Sequence, residues 1–350
     1  MKFLYVNTRN IYPHDRHIID GLRQNNHEVI ELEENNPGMK KYLNLAKRLL
    51  SDRAKYDAIF VGFPTPLFIP IVWLFSMNKI IFNYVSSQYE SNIVSRGVKA
   101  VSFQALKWWL VDIVSCHLSW RVLAESQNQI EYTRRLCLLR RSKLIRSWSG
   151  LNEKEFLYDP SIAKNLNFTI LFRGRFLSES GIDTVIKAAK ILEDSNISFL
   201  IMGEGHLYKI VNHLMETLHP KNIEMVNRTL PIEDLRRKMQ QCHISLGQMA
   251  DHPRLNRTLP CKSFESLAMR LPYLTARNKA ILELLKEDET CFCANPGDPE
   301  DLAKKILFLR DHREILERVT KKGYELFRNN LTAKHLADKI IEGCYAKSFP

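Results

Sequence analysis

Short apolar runs alternate with helix-periodic stretches along almost all of this 350-residue chain, and the alternation occurs twice. In the first half, residues 3–6, 27–30, 56–62, 79–85 and 121–124 read as strands with helices between them. A polar stretch without clear periodicity follows at 151–167, and strand-like runs at 168–173, 198–202, 223–226, 243–246, 272–275 and 290–294 then repeat the pattern. A strand separated from the next by a helix returns in the same direction, so each half predicts a parallel sheet covered by helices on both faces. The length suits two domains of about 150 residues each. The expectation is an α/β protein: two Rossmann-like, doubly wound domains at 1–155 and 166–331 facing a central cleft, followed by a last helix at 332–347 with Leu336, Ile340 and Ile341 on one face.

Composition narrows the class. With 45% hydrophobic and 26% charged residues the chain has the make-up of a folded globular protein rather than a disordered one. Its most apolar region, 59–85, is broken by Pro64, Pro66, Pro70 and Lys79 and makes a poor membrane span. The first residues run into polar and charged side chains without a long apolar core or a cleavage site, so a cytoplasmic protein is expected. The seven cysteines are scattered, and Cys291 and Cys293 have no second cluster to complete a zinc site, which predicts reduced thiols and no metal. The net charge of +12 is concentrated: residues 35–148 hold 17 basic side chains against 6 acidic ones. Its densest patch is Arg134, Arg135, Arg140, Arg141, Lys143 and Arg146, after the aromatic and apolar segment 103–120. Such a field suits an anionic membrane surface or a lipid pyrophosphate; a solvated basic helix face is the plain alternative. No nucleic acid is expected, because no recognised binding signature accompanies the charge.

Four segments carry chemistry. Residues 260–272 place Lys262, Ser263 and Glu265 at the start of a short amphipathic helix behind Pro260. A carboxylate offers only acceptors and suits a pair of hydroxyls such as a ribose diol, while a lysine suits a phosphate. Spaced i and i+3, Lys262 and Glu265 also suit an ordinary surface ion pair. In residues 172–183, a strand ends at Gly174 and Arg175 follows at the carboxyl edge of the predicted sheet, where such folds bind ligands. The Gly203-Glu204-Gly205 turn follows another strand and by itself is only a fragment of a dinucleotide fingerprint. In the first half, Ser87, Tyr89 and Glu90 follow a strand and face the expected cleft, and helix capping by Ser86 or Ser87 accounts for them equally well.

The order strand, loop, P-x-K-x-x-E helix and L-P-Y-L-T strand resembles the donor-nucleotide half of family-4 (group 1) glycosyltransferases of GT-B fold. Residues 172–183 resemble that family's G-R-(L/F)-x-x-x-K-G-(I/V)-D pattern. The resemblance implies a retaining glycosyltransferase that moves a sugar from a nucleotide-sugar donor to a glycan or lipid-linked glycan, in cell-surface polysaccharide synthesis. It assigns Arg175 and Glu265 to catalysis and Gly174, Arg175, Gly203, Gly205, Lys262, Ser263 and Glu265 to donor binding. Ser87, Tyr89 and Glu90 fall on the acceptor side. It further implies a last helix packed on the first domain; the absence of a D-x-D motif predicts no cofactor or metal, and the basic first domain predicts a peripheral position on the inner face of the membrane. Two family side chains are missing: Ser180 stands at the lysine of the first motif, and Arg257 at the first glutamate of E-x7-E. Nor is the family's glycine-rich first loop evident in residues 7–10. A nonenzymatic nucleotide-sugar or glycan-binding subunit with a degenerate donor site, or a nucleotide-sugar epimerase of similar fold, are the rival readings.

Overall fold

The structure, a computed structural model, describes residues 1–7, 12–52, 55–76, 78–228 and 230–346. Residues 8–10 of the first loop and residue 347 of the expected last helix lie outside these. The chain divides into two compact units, Met1–Asn152 with Leu331–Pro350, and Glu153–Asn330. No helix among the described residues is long and apolar enough to cross a membrane.

The first unit contains β1 (Lys2–Asn7), α1 (Pro13–Gln24), β2 (Glu28–Glu33), α2 (Lys40–Ser51), β3 (Ala58–Val61), α3 (Ile69–Ser76) and β4 (Ile80–Asn83). It continues with α4 (Phe103–Leu118), β5 (Arg121–Ala124), α5 (Gln127–Leu136) and β6 (Leu144–Arg146). Its six strands are parallel, in the order β2-β1-β3-β4-β5-β6. Strand β6 was not anticipated: it is a three-residue edge strand inside the basic patch, held by pairing of Leu144 with Val122, and too short to show a period. Alternation along β1 builds two cores. Leu4 and Val6 join Leu45, Ile69, Val72, Cys116 and Ile130 on the face covered by α2 to α5. Phe3 and Tyr5 join Ile18, Ile19, Leu22, Ala337 and Ile340 on the other. Each fully buried aliphatic or aromatic side chain contributes about 1.5–3 kcal/mol.

The second unit contains β7 (Phe168–Arg173), α6 (Ile182–Ile191), β8 (Ile197–Met202), α7 (Tyr208–Leu218), β9 (Ile223–Val226), α8 (Ile232–Gln241) and β10 (Ile244–Leu246). Next come α9 (Cys261–Ala268), β11 (Tyr273–Ala276), α10 (Lys279–Leu284), β12 (Phe292–Ala294), α11 (Pro299–Asp311) and α12 (Arg313–Leu326). The strand order is β12-β11-β10-β7-β8-β9, all parallel. From β7 the chain winds to β8 and β9 on one side; from β10 it winds to β11 and β12 on the other. The carboxyl ends of β7 and β10 therefore flank the switch point, where loops diverge and leave a crevice. Cys291 and Cys293, at β12, are buried free thiols.

The last helix, α13 (Ala333–Tyr345), belongs to the first unit and packs on α1 with Leu336, Ala337, Ile340 and Cys344 buried. The two helices approach closely at Gly21, where an added Cβ would lie 2.0 Å from the Ala333 carbonyl oxygen and 2.8 Å from Ala337 Cβ. Gly21→Val is expected to destabilise the chain by roughly 3 kcal/mol or more, through overpacking that rigid helices cannot relieve. An unchanged thermal unfolding midpoint would contradict this packing.

Candidate functional site

At the carboxyl end of β7 the chain passes through Arg173, Gly174 and Arg175, and the neighbouring β8 ends in the Gly203-Glu204-Gly205 turn. The two loops brace each other: Gly174 N donates to Met202 O (3.0 Å), Phe176 N to Glu204 O (2.9 Å) and Leu207 N to Phe176 O (3.2 Å). Gly203 has φ +156°, and a Cβ there would sit 1.9 Å from the Gly174 carbonyl oxygen, so only glycine fits. A pocket of about 230 Å³ opens here, lined by Arg173, Gly174, Arg175, Gly203, Arg228 and Leu235 among others. Arg175 is exposed, and Gly205, which is not among the residues lining the pocket, lies against the Phe176 backbone.

Helix α9 enters the same crevice from beside β10. Pro260 caps it, and the Ser263 hydroxyl donates to the Pro260 carbonyl (2.7 Å), so that side chain serves the first turn of the helix. Ser266 Oγ donates to Ser245 Oγ (2.8 Å) and ties α9 to β10, while Phe264 and Leu267 are buried. This orientation turns Glu265 toward β7, where the buried carboxylate forms an ion pair with the half-buried Arg173. Arg173 lies 5.7 Å from the centroid of the Phe156 ring. Lys262 reaches the switch point itself. Its ammonium donates to Gly247 O (3.3 Å) and sits over the Phe172 ring (4.7 Å). It lies 3.3 Å from where a Cβ on Gly174 would be. The i, i+3 surface pair of Lys262 with Glu265 is thus replaced by two separate contacts. Burial, and then the Arg173 charge, push the Lys262 ammonium down to about 7.

The structure thus gathers Gly174, Arg175 and Gly203 around one pocket, with Lys262 beside Gly174 and Glu265 joined through Arg173. Arg173 is the residue that sequence reasoning missed. The signal was present, a charged side chain ending an otherwise apolar buried strand, but it reads as the strand's last solvated position. Ser180 is buried and donates to Leu177 O (2.6 Å), so it faces its own loop; beside it Glu179 pairs with Arg254 at 2.7 Å. Arg257 is half-buried, and its backbone N–H closes the turn onto Arg254 O (2.9 Å).

In the first unit, the Ser87 hydroxyl donates to Asp112 Oδ2 (2.6 Å) and accepts from Glu90 N–H (3.0 Å), while the N–H groups of Gln88 and Tyr89 donate to the same carboxylate. Capping therefore describes Ser87; Glu90 is buried and Tyr89 half-buried. Asn83 donates to His14 O and to Asp15 Oδ1, which also accepts from Tyr5. Burial raises Asp15 to about 6. His14 Nδ1 lies 2.9 Å from Ser149 Oγ, whose proton goes to Glu125; burial lowers this histidine to about 4. Four members of the basic patch have local partners: Arg134 pairs with Glu131, Arg141 donates to Leu144 O, Lys143 donates to His117 O, and Arg146 stacks on Trp148. Arg135 and Arg140 are exposed.

Residues 155–326 match the family model for group 1 glycosyl transferases. HepE from Anabaena, crystallised in complex with UDP and glucose, has a TM-score of 0.75 at 13% identity, over 98% of each chain. Sucrose-phosphate synthase from Thermosynechococcus elongatus gives 0.75 at 14% identity over 97% of each. These likenesses carry the fold, and the GT-B pair of Rossmann-like parallel-sheet domains expected from the sequence is the observed one. An uncharacterized glycosyltransferase from Methanocaldococcus jannaschii is 25% identical over 185 residues, which are 53% of this chain and 49% of that protein. The match thus spans about half the length of that curated relative.

Removing Arg173 leaves the buried Glu265 carboxylate uncompensated. Arg173→Met is expected to destabilise the chain by roughly 3 kcal/mol, and adding Glu265→Gln to recover most of it. Chemical denaturation of the four proteins of this cycle would check this; additive losses would contradict the pairing.

Proposed function

Residues 155–326 belong to the group 1 glycosyl transferases, and from that premise we propose that the chain is a retaining glycosyltransferase using a nucleotide-sugar donor. One observation carries the reading: Gly174, Arg175, Lys262 and the Arg173–Glu265 pair meet at the switch point of the second sheet. The Glu265 carboxylate, held in place by Arg173, accepts from the ribose hydroxyls. Arg175 and Lys262 face the diphosphate, and the charge that develops on the departing nucleoside diphosphate is met by these cations without a metal. Lys262 takes the place of the lysine that Ser180 lacks, because its ammonium already lies against the Gly174 turn. HepE was crystallised with UDP, which favours a uridine diphosphate donor. The acceptor is a glycan or lipid-linked glycan of cell-surface polysaccharide synthesis, reached at the inner face of the membrane.

The direct test incubates the full chain with uridine, guanosine and adenosine diphosphate sugars, with and without glycan acceptors, and follows nucleoside diphosphate release. Release that requires an acceptor supports the proposal. Donor consumption without acceptor would point to an epimerase, and binding without turnover to a binding subunit; either result overturns transfer.

Lys262 also predicts a pH dependence. Its conjugate acid binds phosphate, and in the ligand-free protein its pKa is lowered to about 7. Affinity for a nucleotide sugar, whose phosphates exchange no proton near neutrality, should be flat below that pH and fall as pH rises through it, approaching tenfold per pH unit well above it. Lys262→Ala should bind more weakly, with a flat profile; a wild-type profile that is already flat would contradict the role.

A further inference from the structure

Helix α4 is inside out. Its 16 residues bury Ala105, Asp112, Ser115 and Cys116 and expose Phe103, Leu106, Leu110 and Val114 at 82%, 50%, 45% and 43%. Those four exposed residues follow one another at three- and four-residue steps, so they form a single stripe along roughly 17 Å of helix. Its inward face joins the core through Cys116, Ile113 and Leu118 and is otherwise anchored by polar groups: Asp112 receives the loop at residues 87–89, and Ser115 donates to Pro66 O (3.0 Å). A groove of about 750 Å³ between the start of α4 and Leu136, lined by Val101, Phe103, Leu106 and Trp109, continues the apolar surface.

The neighbouring helices share the character. Helix α3 packs on α4 and exposes Trp73 and Leu74; α2 packs on α3 and exposes Leu43 and Leu50. All three cover the same face of the first sheet. On the opposite face, α1 and α13 expose no large apolar side chain among the described residues. Apolar exposure of this kind on one face only marks a surface that is covered in use. Charge identifies the cover. Lys40, Lys47, Arg96, Lys99 and Lys107 are exposed on or beside these helices, whereas Glu90, Asp112 and Glu125 of the region's few acidic side chains are buried. A second copy of the chain would set these cations against each other.

We propose that the α2–α4 face lies on an anionic lipid bilayer, with Phe103, Leu106, Leu110 and Val114 entering the boundary between headgroups and acyl chains and the surrounding lysines on the lipid phosphates. This deepens the membrane-facing part of the reading above and relocates the contact, from the arginines around residue 140 to α4.

The experiment sediments the full chain with vesicles of phosphatidylcholine alone and of phosphatidylcholine mixed with phosphatidylglycerol, over a range of salt. Wild type should bind the mixed vesicles and release as salt rises. Leu106→Ser with Leu110→Ser should weaken binding by roughly tenfold or more. Lys99→Glu with Lys107→Glu should weaken it by about tenfold or more and flatten the salt dependence. Absence of wild-type binding to the mixed vesicles, or unchanged binding of the serine variant, would overturn the proposal. A wild-type dimer that the serine variant dissolves, with no vesicle binding, would assign the face to self-association and overturn it as well. Thermal shift by UDP, followed in the same proteins, reports the second unit; its loss would count against the donor reading and leave the bilayer result standing.

Discussion

A carboxylate taken out of water needs a cation, and the second unit is organised around that requirement. Glu265 is buried on a short helix whose position is set by Pro260 and by the Ser266–Ser245 hydrogen bond, and its cation, Arg173, is the last residue of the central strand β7. The pair links α9 to β7 across the line where the sheet changes direction. Its two charges offset each other, and Arg175 and Lys262 leave the crevice beside Gly174 positively charged. The lowered Lys262 pKa comes first from burial of the ammonium beside Gly174 and Gly247 and then from the Arg173 charge.

Much of the architecture was legible because parallel sheets are written in long, repeated signals. Five of the six strands of the first sheet and all six of the second lie where apolar runs predict them, since strands buried on both faces read as continuous Val, Ile, Leu and Phe. Leu144–Arg146 escaped because a three-residue edge strand among arginines has no such run. The gathering of Gly174, Arg175, Lys262 and Glu265 at one crevice was legible, because motif spacing carries that information. What escaped was pairing: nothing in the spacing of Lys262 and Glu265 tells that the carboxylate turns to Arg173, more than ninety residues away in the chain, because that partnership is made by sheet order. Ser263 and Ser87 are polar residues next to a motif that also hold their own helix ends, which for Ser87 is the capping role the sequence equally allowed.

The first unit follows a different economy. Its arginine cluster drew attention in the sequence, yet Arg134, Arg141, Lys143 and Arg146 are engaged with their neighbours. Its most unusual element is α4, where hydrophobicity alone predicts a buried helix, and only the burial of Asp112, Ser115 and Cys116 reveals which side faces inward. Sequence periodicity could not separate those cases, because Phe103, Trp108, Trp109, Leu110, Val111 and Ile113 surround the helix with apolar groups.

The measurement that bears most directly on the account is a calorimetric titration of UDP into the full chain and into its Glu265→Ala variant. A donor site built on the Arg173–Glu265 pair predicts one UDP per wild-type chain, and at least tenfold weaker binding when the ribose acceptor is removed, about 1.4 kcal/mol or more. Wild-type affinity in the variant, or no binding of UDP by the wild-type chain, would contradict it.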